Sequence, residues 1–76
     1  MKIIFSNHAN IKIVQRKISR KFILETIDNP DLKRFSRGSR EEFYKKFTKN
    51  HLKVVIKKDL TKIIVVTVHW VAKTKN

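Results

Sequence analysis

The spacing of apolar residues along the chain changes near Pro30 from the period of a helix to that of a strand. On the N-terminal side, a short β-prone segment, 2–5, precedes two residues that can cap a helix, Ser6 and Asn7. We therefore expect a first helix of about two turns to begin near His8.

Ile11 and Val14, with Ile18 four residues further on, mark the predicted apolar stripe of this first helix. Ser19 is a second candidate N-cap. In the helix predicted to follow it, apolar and small positions recur at spacings of three and four: Phe22, Ile23, Thr26 and Ile27. The helix should stop at 28–30, because proline disfavours a helical conformation in the residue before it.

Beyond Pro30 the period approaches two. The segment 33–37 is a weak strand candidate, and 36–39 contains the single glycine of the chain, which indicates a turn. The segment 41–49 fits either a strand or a helix.

The C-terminal half is clearer, because Leu52, Val54 and Ile56 alternate with Lys53, Val55 and Lys57 in a half-buried strand. After a turn at 59–62, a nearly continuous β-branched run at 63–71 is typical of a strand inside a sheet. The fold class that follows is α+β, with two N-terminal helices packed on one face of an antiparallel sheet of about three to four strands. We expect one domain over 1–76, with a frayed tail from about residue 73.

The net charge of the chain indicates what kind of partner it binds. The 76 residues carry 19 Lys and Arg against 6 Asp and Glu, a formal net charge of +13. The stretch 33–58 contains ten of these Lys and Arg residues and only two acidic residues, Glu41 and Glu42. Such a field attracts phosphate by counterion release, which points to RNA or DNA. A solvated, lysine-rich surface without a polyanionic partner is the alternative.

The composition also bears on whether the chain binds a metal or cofactor and whether it contacts a membrane. The chain has no cysteine, and its three histidines lack a recognised metal-ligand spacing, so we expect no metal and no cofactor. No apolar run approaches the roughly 20 residues that span a bilayer, and the opening 3–5 is too short for a signal peptide. These features favour a soluble, cytoplasmic protein that does not contact membranes.

Several short motifs together resemble a known family. They are Ser6-x-His8-Ala9 at a helix start, Arg16-x-Ile18-Ser19 between helices, 27–31 (Ile-Asp-Asn-Pro-Asp), and the strands 52–56 and 64–70. In these the chain resembles a small family of unknown function related to BrnT, within the RelE/ParE-like toxin superfamily. Lys12 stands where that family usually has Arg, and Gln15 where an acidic residue is common.

The resemblance implies a compact RelE-like domain. Better-known relatives are RNA endonucleases that an antitoxin protein neutralises, and other relatives poison gyrase. An acidic antitoxin is therefore an expected partner. The fold alone does not decide between these activities, because one fold hosts many functions.

Metal-independent RNA cleavage needs a proton acceptor for the ribose 2′-hydroxyl, a proton donor for the 5′-oxygen, and cations beside the phosphate. We predict His8, Arg16 and Tyr44 as the catalytic residues if the chain is an enzyme. His8 can instead be a structural residue that fixes the helix start, and His69 in the last strand fits a half-buried structural role.

The predicted nucleic-acid contacts are Lys and Arg residues near the aromatic pair Phe43-Tyr44, on the exposed strand face, and at the position in the first helix where the resembling family has Arg. They are Lys12, Arg37, Arg40, Lys45, Lys46, Lys53 and Lys57. Phe43 and Phe47, four residues apart, are predicted core residues, and Trp70 is predicted to lie in the core or in an interface. Tyr44 is expected to be exposed and available for base stacking.

Three functions of different classes remain open at this point: a metal-independent ribonuclease, a non-catalytic RNA-binding or DNA-binding protein, and an interaction module that docks an acidic protein. The oligomeric state is not predicted. Nucleic-acid binding is the function that the charge distribution favours.

Overall fold

The computed structural model describes residues 2–72, which form two helices and five strands. In chain order these are β1 (Lys2–Phe5), α1 (Asn7–Gln15), α2 (Arg20–Asp28), β2 (Leu32–Ser36), β3 (Arg40–Phe47), β4 (Asn50–Lys58) and β5 (Lys62–Val71). The predicted α+β class is confirmed, and the ambiguous segment 41–49 is largely strand. The predicted frayed tail lies outside the described residues.

Both helices begin at the serines that the sequence indicates. The Ser6 Oγ accepts a hydrogen bond from the Ala9 N–H at 3.0 Å, and the Ser19 Oγ accepts one from the Lys21 N–H at 3.2 Å. Each bond satisfies an N–H that has no partner inside its helix. The second helix ends at Asp28, two residues before Pro30, as predicted.

The strands form one mixed sheet in the order β1-β5-β4-β3-β2. Strands β2 to β5 are antiparallel neighbours, but β1 runs parallel to β5. The prediction of an entirely antiparallel sheet of about three or four strands is therefore wrong in number and direction. β1 can run parallel to β5 because the connection between them is long, whereas a tight hairpin joins only antiparallel strands.

One face of the sheet is covered by both helices and carries the core. α1 packs against β5, and α2 packs against β4 and β3. The buried cluster consists of Ala9, Ile13, Ile18, Ile23, Phe43, Leu52, Val54, Ile56, Val65 and Val68. We call this side the helix-covered face.

The buried side of α1 differs from the prediction. Ala9 and Ile13 are buried, with 0% and 8% of their surface exposed. Ile11 and Val14, in contrast, are 53% and 77% exposed. Ile18 is buried as expected, but it lies beyond the end of the helix. In a helix of about two turns, two apolar stripes compete, and the position of β5 selects the one that carries the small Ala9.

Aromatic residues close the core at one end. The rings of Phe22 and Phe47 stack with their centroids 4.3 Å apart, and Trp70 packs edge-on against both, at 6.5 and 6.3 Å. Such offset and edge contacts are favourable arrangements of aromatic quadrupoles. Phe43 belongs to the buried cluster, as predicted, and Phe47 and Trp70 are partly buried against it.

A β-bulge interrupts the alternation of β5. Val55 pairs with Thr67 and Ile56 with Val65, so that Val66 is an extra residue in β5. Val65 therefore belongs to the helix-covered face, while Thr67 and His69 lie on the other face. Strict alternation along β5 would instead place Val65 on the same face as His69, so the bulge is what returns Val65 to the core.

Candidate nucleic-acid interface

The face of the sheet opposite the helices is formed by the alternate residues of each strand. We call it the open face. On β2 to β5 it carries Leu32, Arg34, Ser36, Arg40, Glu42, Tyr44, Lys46, His51, Lys53, Val55, Lys57, Lys62, Ile64, Thr67, His69 and Val71. Residues that lie directly across from one another form rows, and the central row is Leu32–Tyr44–Lys53–His69.

Tyr44 lies at the centre of this face beneath two cations. The Arg34 guanidinium carbon and the Lys53 Nζ each lie 5.7 Å from the centroid of its ring. The side chain of Tyr44 is therefore covered, and the residue is only 6% exposed. The prediction that Tyr44 is exposed for base stacking is wrong, because its cross-strand neighbours cover the ring.

Glu42 links Tyr44 to Lys53. The Tyr44 hydroxyl donates a hydrogen bond to the Glu42 Oε1 at 2.8 Å, and the Lys53 Nζ lies 3.8 Å from the Glu42 Oε2. Burial, followed by the hydrogen bond to Glu42, raises the pKa of Tyr44 to about 12. At neutral pH the phenol stays protonated and is committed to the carboxylate, which makes it a poor proton donor to a substrate.

His69 lies across the β4–β5 pair from Lys53. Partial burial lowers the pKa of His69, and the positive charges of Lys53 and Arg16 lower it further, against the opposing charge of Glu42. The imidazole is therefore neutral at physiological pH and can accept a proton.

Arg16 reaches this site from the end of α1. Its Nη1 donates a hydrogen bond to the Val68 carbonyl oxygen at 2.8 Å, on the part of β5 that extends beyond the pairing with β1. The Ser6 Oγ similarly donates to the Val66 carbonyl oxygen at 3.0 Å. The α1 termini thus satisfy two carbonyls of β5 and place a guanidinium near His69.

Cations dominate the remainder of the open face. Arg40 lies directly across from Lys57, and Lys46 lies across from His51. From β2 to β4 this face carries Arg34, Arg40, Lys46, Lys53 and Lys57, with Glu42 as its single carboxylate. The carboxylate is already shared by Lys53 and Tyr44, so the outer cations face solvent without a countercharge on this face.

The structure brings six of the predicted site residues to this surface. Arg40, Tyr44, Lys46, Lys53 and Lys57 lie on the open face, and Arg16 lies at its β5 margin. Arg37 lies in the turn beside it, between β2 and β3.

The other predicted residues lie elsewhere. His8 is exposed in the first turn of α1, in the helix layer. The Lys12 Nζ donates to the Gln15 Oε1 at 3.3 Å on the same helix, and the Lys45 Nζ donates to the Asn29 carbonyl oxygen at 3.0 Å. Lys45 alternates with Tyr44 and so belongs to the helix-covered face.

Two open-face residues with chemistry suited to nucleic acid, Arg34 and His69, were not among the predicted site residues. Arg34 is assigned to this face only once the pairing of β2 with β3 is known, since it then shares a face with Leu32 and Ser36. His69 was assigned a structural role, because its cross-strand neighbour Lys53 could not be identified without the pairing of β4 with β5.

Comparison of the chain with protein-family models, with curated proteins and with solved structures finds no match. Within residues 2–72, no group of three His, Asp or Glu side chains is arranged to hold a metal ion. Neither helix in that range is long and apolar enough to cross a membrane.

Proposed function

We propose that this chain is a small nucleic-acid-binding protein that holds the phosphate backbone of RNA or DNA on its open face. The carrying observation is the charge of that face from β2 to β4, where five Lys and Arg side chains accompany Glu42 alone. Phosphate neutralised by such cations releases condensed counterions, which drives binding independently of base sequence.

The arrangement favours contact with the backbone over contact with the bases. The ring of Tyr44 is covered, so the open face lacks an exposed aromatic platform among β2 to β4. Arg34 is the best stacking group there, because a guanidinium plane can lie on an unstacked base. We therefore expect single-stranded RNA to bind with strong salt dependence and little sequence preference.

Two double variants test the face directly. Arg40→Ala with Lys57→Ala removes two open-face charges, and Lys12→Ala with Lys21→Ala removes two charges from the helices. With a fluorescent single-stranded RNA, the first pair should reduce the slope of log K against log salt by about 1.4, at roughly 0.7 per lost contact. The second should leave the slope nearly unchanged. Equal losses in both would mean that the whole field of the protein, and not this face, binds RNA.

Metal-independent RNA cleavage is a second candidate, favoured by the position of His69 beside Lys53 and Arg16. The neutral imidazole would take the proton from the ribose 2′-oxygen as that oxygen bonds to phosphorus. The bond from phosphorus to the 5′-oxygen would break, and the Lys53 ammonium would supply the leaving oxygen with a proton. Arg16 would stabilise the negative charge on the phosphate.

The RelE-like relationship belongs to the same proposal. It is supported by the element order, in which a short strand and two helices precede a run of antiparallel strands.

Incubation with end-labelled RNA in EDTA would separate binding from cleavage. We expect cleavage to be lost in His69→Ala with RNA affinity retained, and to be retained in His8→Ala. Loss in His8→Ala alone would move the reacting centre to the helix layer. If the unmodified protein binds RNA without cleaving it, the ribonuclease proposal is wrong and the protein is a nucleic-acid-binding protein.

A further inference from the structure

A groove lies on the helix-covered side, at the edge of the sheet formed by β1. It has a volume of about 830 Å³ and is lined by Ile3, Lys21, Leu24, Glu25, Ile27, Asp28 and Ile63. Its apolar side chains come from three elements: α2, β1 and the start of β5. This volume is within the range of protein binding sites, roughly 300–1,000 Å³.

The groove also holds the two carboxylates that form no ion pair within residues 2–72. Of the six acidic residues in the chain, four are paired: Asp31 with Lys45, Glu41 with Lys58, Glu42 with Lys53 and Asp59 with Lys62. The other two, Glu25 and Asp28, both line the groove. Together with Lys21 they form the polar rim of an apolar floor, with one more acidic than basic side chain on a protein of net charge +13.

The opposite edge of the sheet carries the complementary chemistry. Phe35 on β2 is 88% exposed, although it lies on the same side of the sheet as the core residue Phe43. α2 packs over β3 and β4 and leaves this aromatic side chain uncovered. Its charged neighbours on that side are mainly cationic: Lys33 lies two residues away on the same face and Arg37 follows in the turn, while Glu41, directly across from Phe35, is already paired with Lys58.

Strand directions allow the two edges to meet. Among the described residues, β1 pairs only with β5, and β2 pairs only with β3. The pairings make β1 and β2 antiparallel to one another, so a second copy displaced sideways would present β2 to β1 in antiparallel orientation. The same displacement keeps the helix-covered faces on one side. Because Phe35 lies in the same row as Phe5, a shift of two residues along the strands places Phe35 beside Ile3.

We infer that copies of this chain associate head to tail, with β2 of one copy beside β1 of the next and Phe35 seated in the groove. Glu25 and Asp28 would face the cations around Phe35. Because the two surfaces lie at opposite edges of the molecule, the contact does not close on a pair and forms open chains.

Charge sets the conditions under which association occurs. On the open face, the contact would bring Lys2 of one copy near Arg34 of the next, and each copy carries a net charge of +13. Salt screens this long-range repulsion, while the apolar contact of Phe35 is not weakened. Association should therefore increase from about 0.05 M to about 0.5 M NaCl, the reverse of the trend for RNA binding.

Sedimentation velocity at rising protein concentration in about 0.5 M NaCl tests the inference. We expect species larger than a dimer for the unmodified chain. Phe35→Ala, and Glu25→Lys with Asp28→Lys, should each lower the association constant by at least about tenfold. Leu60→Ala is the matched control, because Leu60 is 93% exposed and lies outside both surfaces, and it should associate normally. A purely monomeric unmodified chain, or equal loss in Leu60→Ala, would overturn the inference.

Mixing the two defective variants gives the sharper result. Phe35→Ala keeps its groove, and the Glu25→Lys, Asp28→Lys variant keeps its Phe35. An equimolar mixture should form a heterodimer that grows no further, since it contains one intact contact. Absence of that heterodimer would reject the head-to-tail contact. Circular dichroism of each variant would confirm folding.

This inference does not depend on nucleic-acid binding. The variant Arg40→Ala with Lys57→Ala should lose RNA affinity and still associate at high salt, because both residues lie on the open face away from the contact. If the protein associates but does not bind RNA, the proposed function is wrong and the head-to-tail contact stands. If it binds RNA but stays monomeric, the head-to-tail contact is wrong and the proposed function stands.

Discussion

The two faces of the sheet assign adjacent residues of one strand to different tasks. On β4, Leu52, Val54 and Ile56 are fully buried against the helices, whereas Lys53 and Lys57, between and beyond them, carry charge on the open face. The buried side chains contribute hydrophobic free energy at roughly 25 cal/mol per Å². The charged ones contribute little to folding and can serve binding. In so small a domain, the comparison shows that stability and function can be changed separately by residues one position apart.

The largest test of this division is the neighbouring pair Leu52 and Lys53. Leu52→Ala should lower the free energy of unfolding by about 2–5 kcal/mol, because it leaves a cavity in the core. Lys53→Ala should change it by about 1 kcal/mol or less, since Lys53 pairs with Glu42 at a partly exposed position. Urea denaturation measures both. Similar losses at the two positions would mean that the open face contributes to stability as much as the core.

A second test concerns the buried centre of the open face. Tyr44 is the single tyrosine of the chain, so tyrosinate absorbance reports it directly. Its pKa should lie at about 12 in the folded protein, compared with about 10 when unfolded. Glu42→Gln should lower the folded value by removing the negative charge. The raised pKa also means that stability present below about pH 10 is lost as the pH rises toward 12. A folded-state midpoint near 10 would show that the ring is solvated.

The smallest expected effect is at His69. Its pKa is lowered in the folded protein, by burial first and then by Lys53 and Arg16, so the unfolded chain binds its proton more readily. Stability is therefore present above about pH 6.5 and decreases as the pH falls through that value toward the folded pKa. Lys53→Met should raise the pKa of His69, as followed by NMR. A value that does not move would mean that Lys53 does not act on the imidazole.

The parts of the fold that were predicted correctly depend on local chemistry. Ser6 and Ser19 cap helices through hydrogen bonds to residues two or three positions away, and Pro30 limits α2 through its own ring. The alternation in β4 likewise reflects one strand between a core and solvent. Such signals are complete within a short window of sequence.

The predictions were wrong where the burial or pairing of a residue depends on residues distant in sequence. The face of α1 depends on β5, more than forty residues away, and the burial of Tyr44 depends on cations from β2 and β4. The parallel partner of β1 is equally remote. Of the candidate site, the cationic character of β4 was visible in sequence, but the meeting of Arg16 with His69 required the fold.

The single extra residue in β5 has a consequence for how this protein can vary. Val66 shifts the phase of the strand, so that Val68 and Trp70 face the helices while Thr67 and His69 face outward. Deleting Val66 would make the pairing with β4 regular, and strict alternation would then keep Ile63 and Val65 on the same face as Val68 and Trp70. Deleting a residue elsewhere in β5 while the bulge remains would turn one part of the strand over and expose its apolar side chains. Val66 is therefore the position at which β5 best tolerates the loss of one residue.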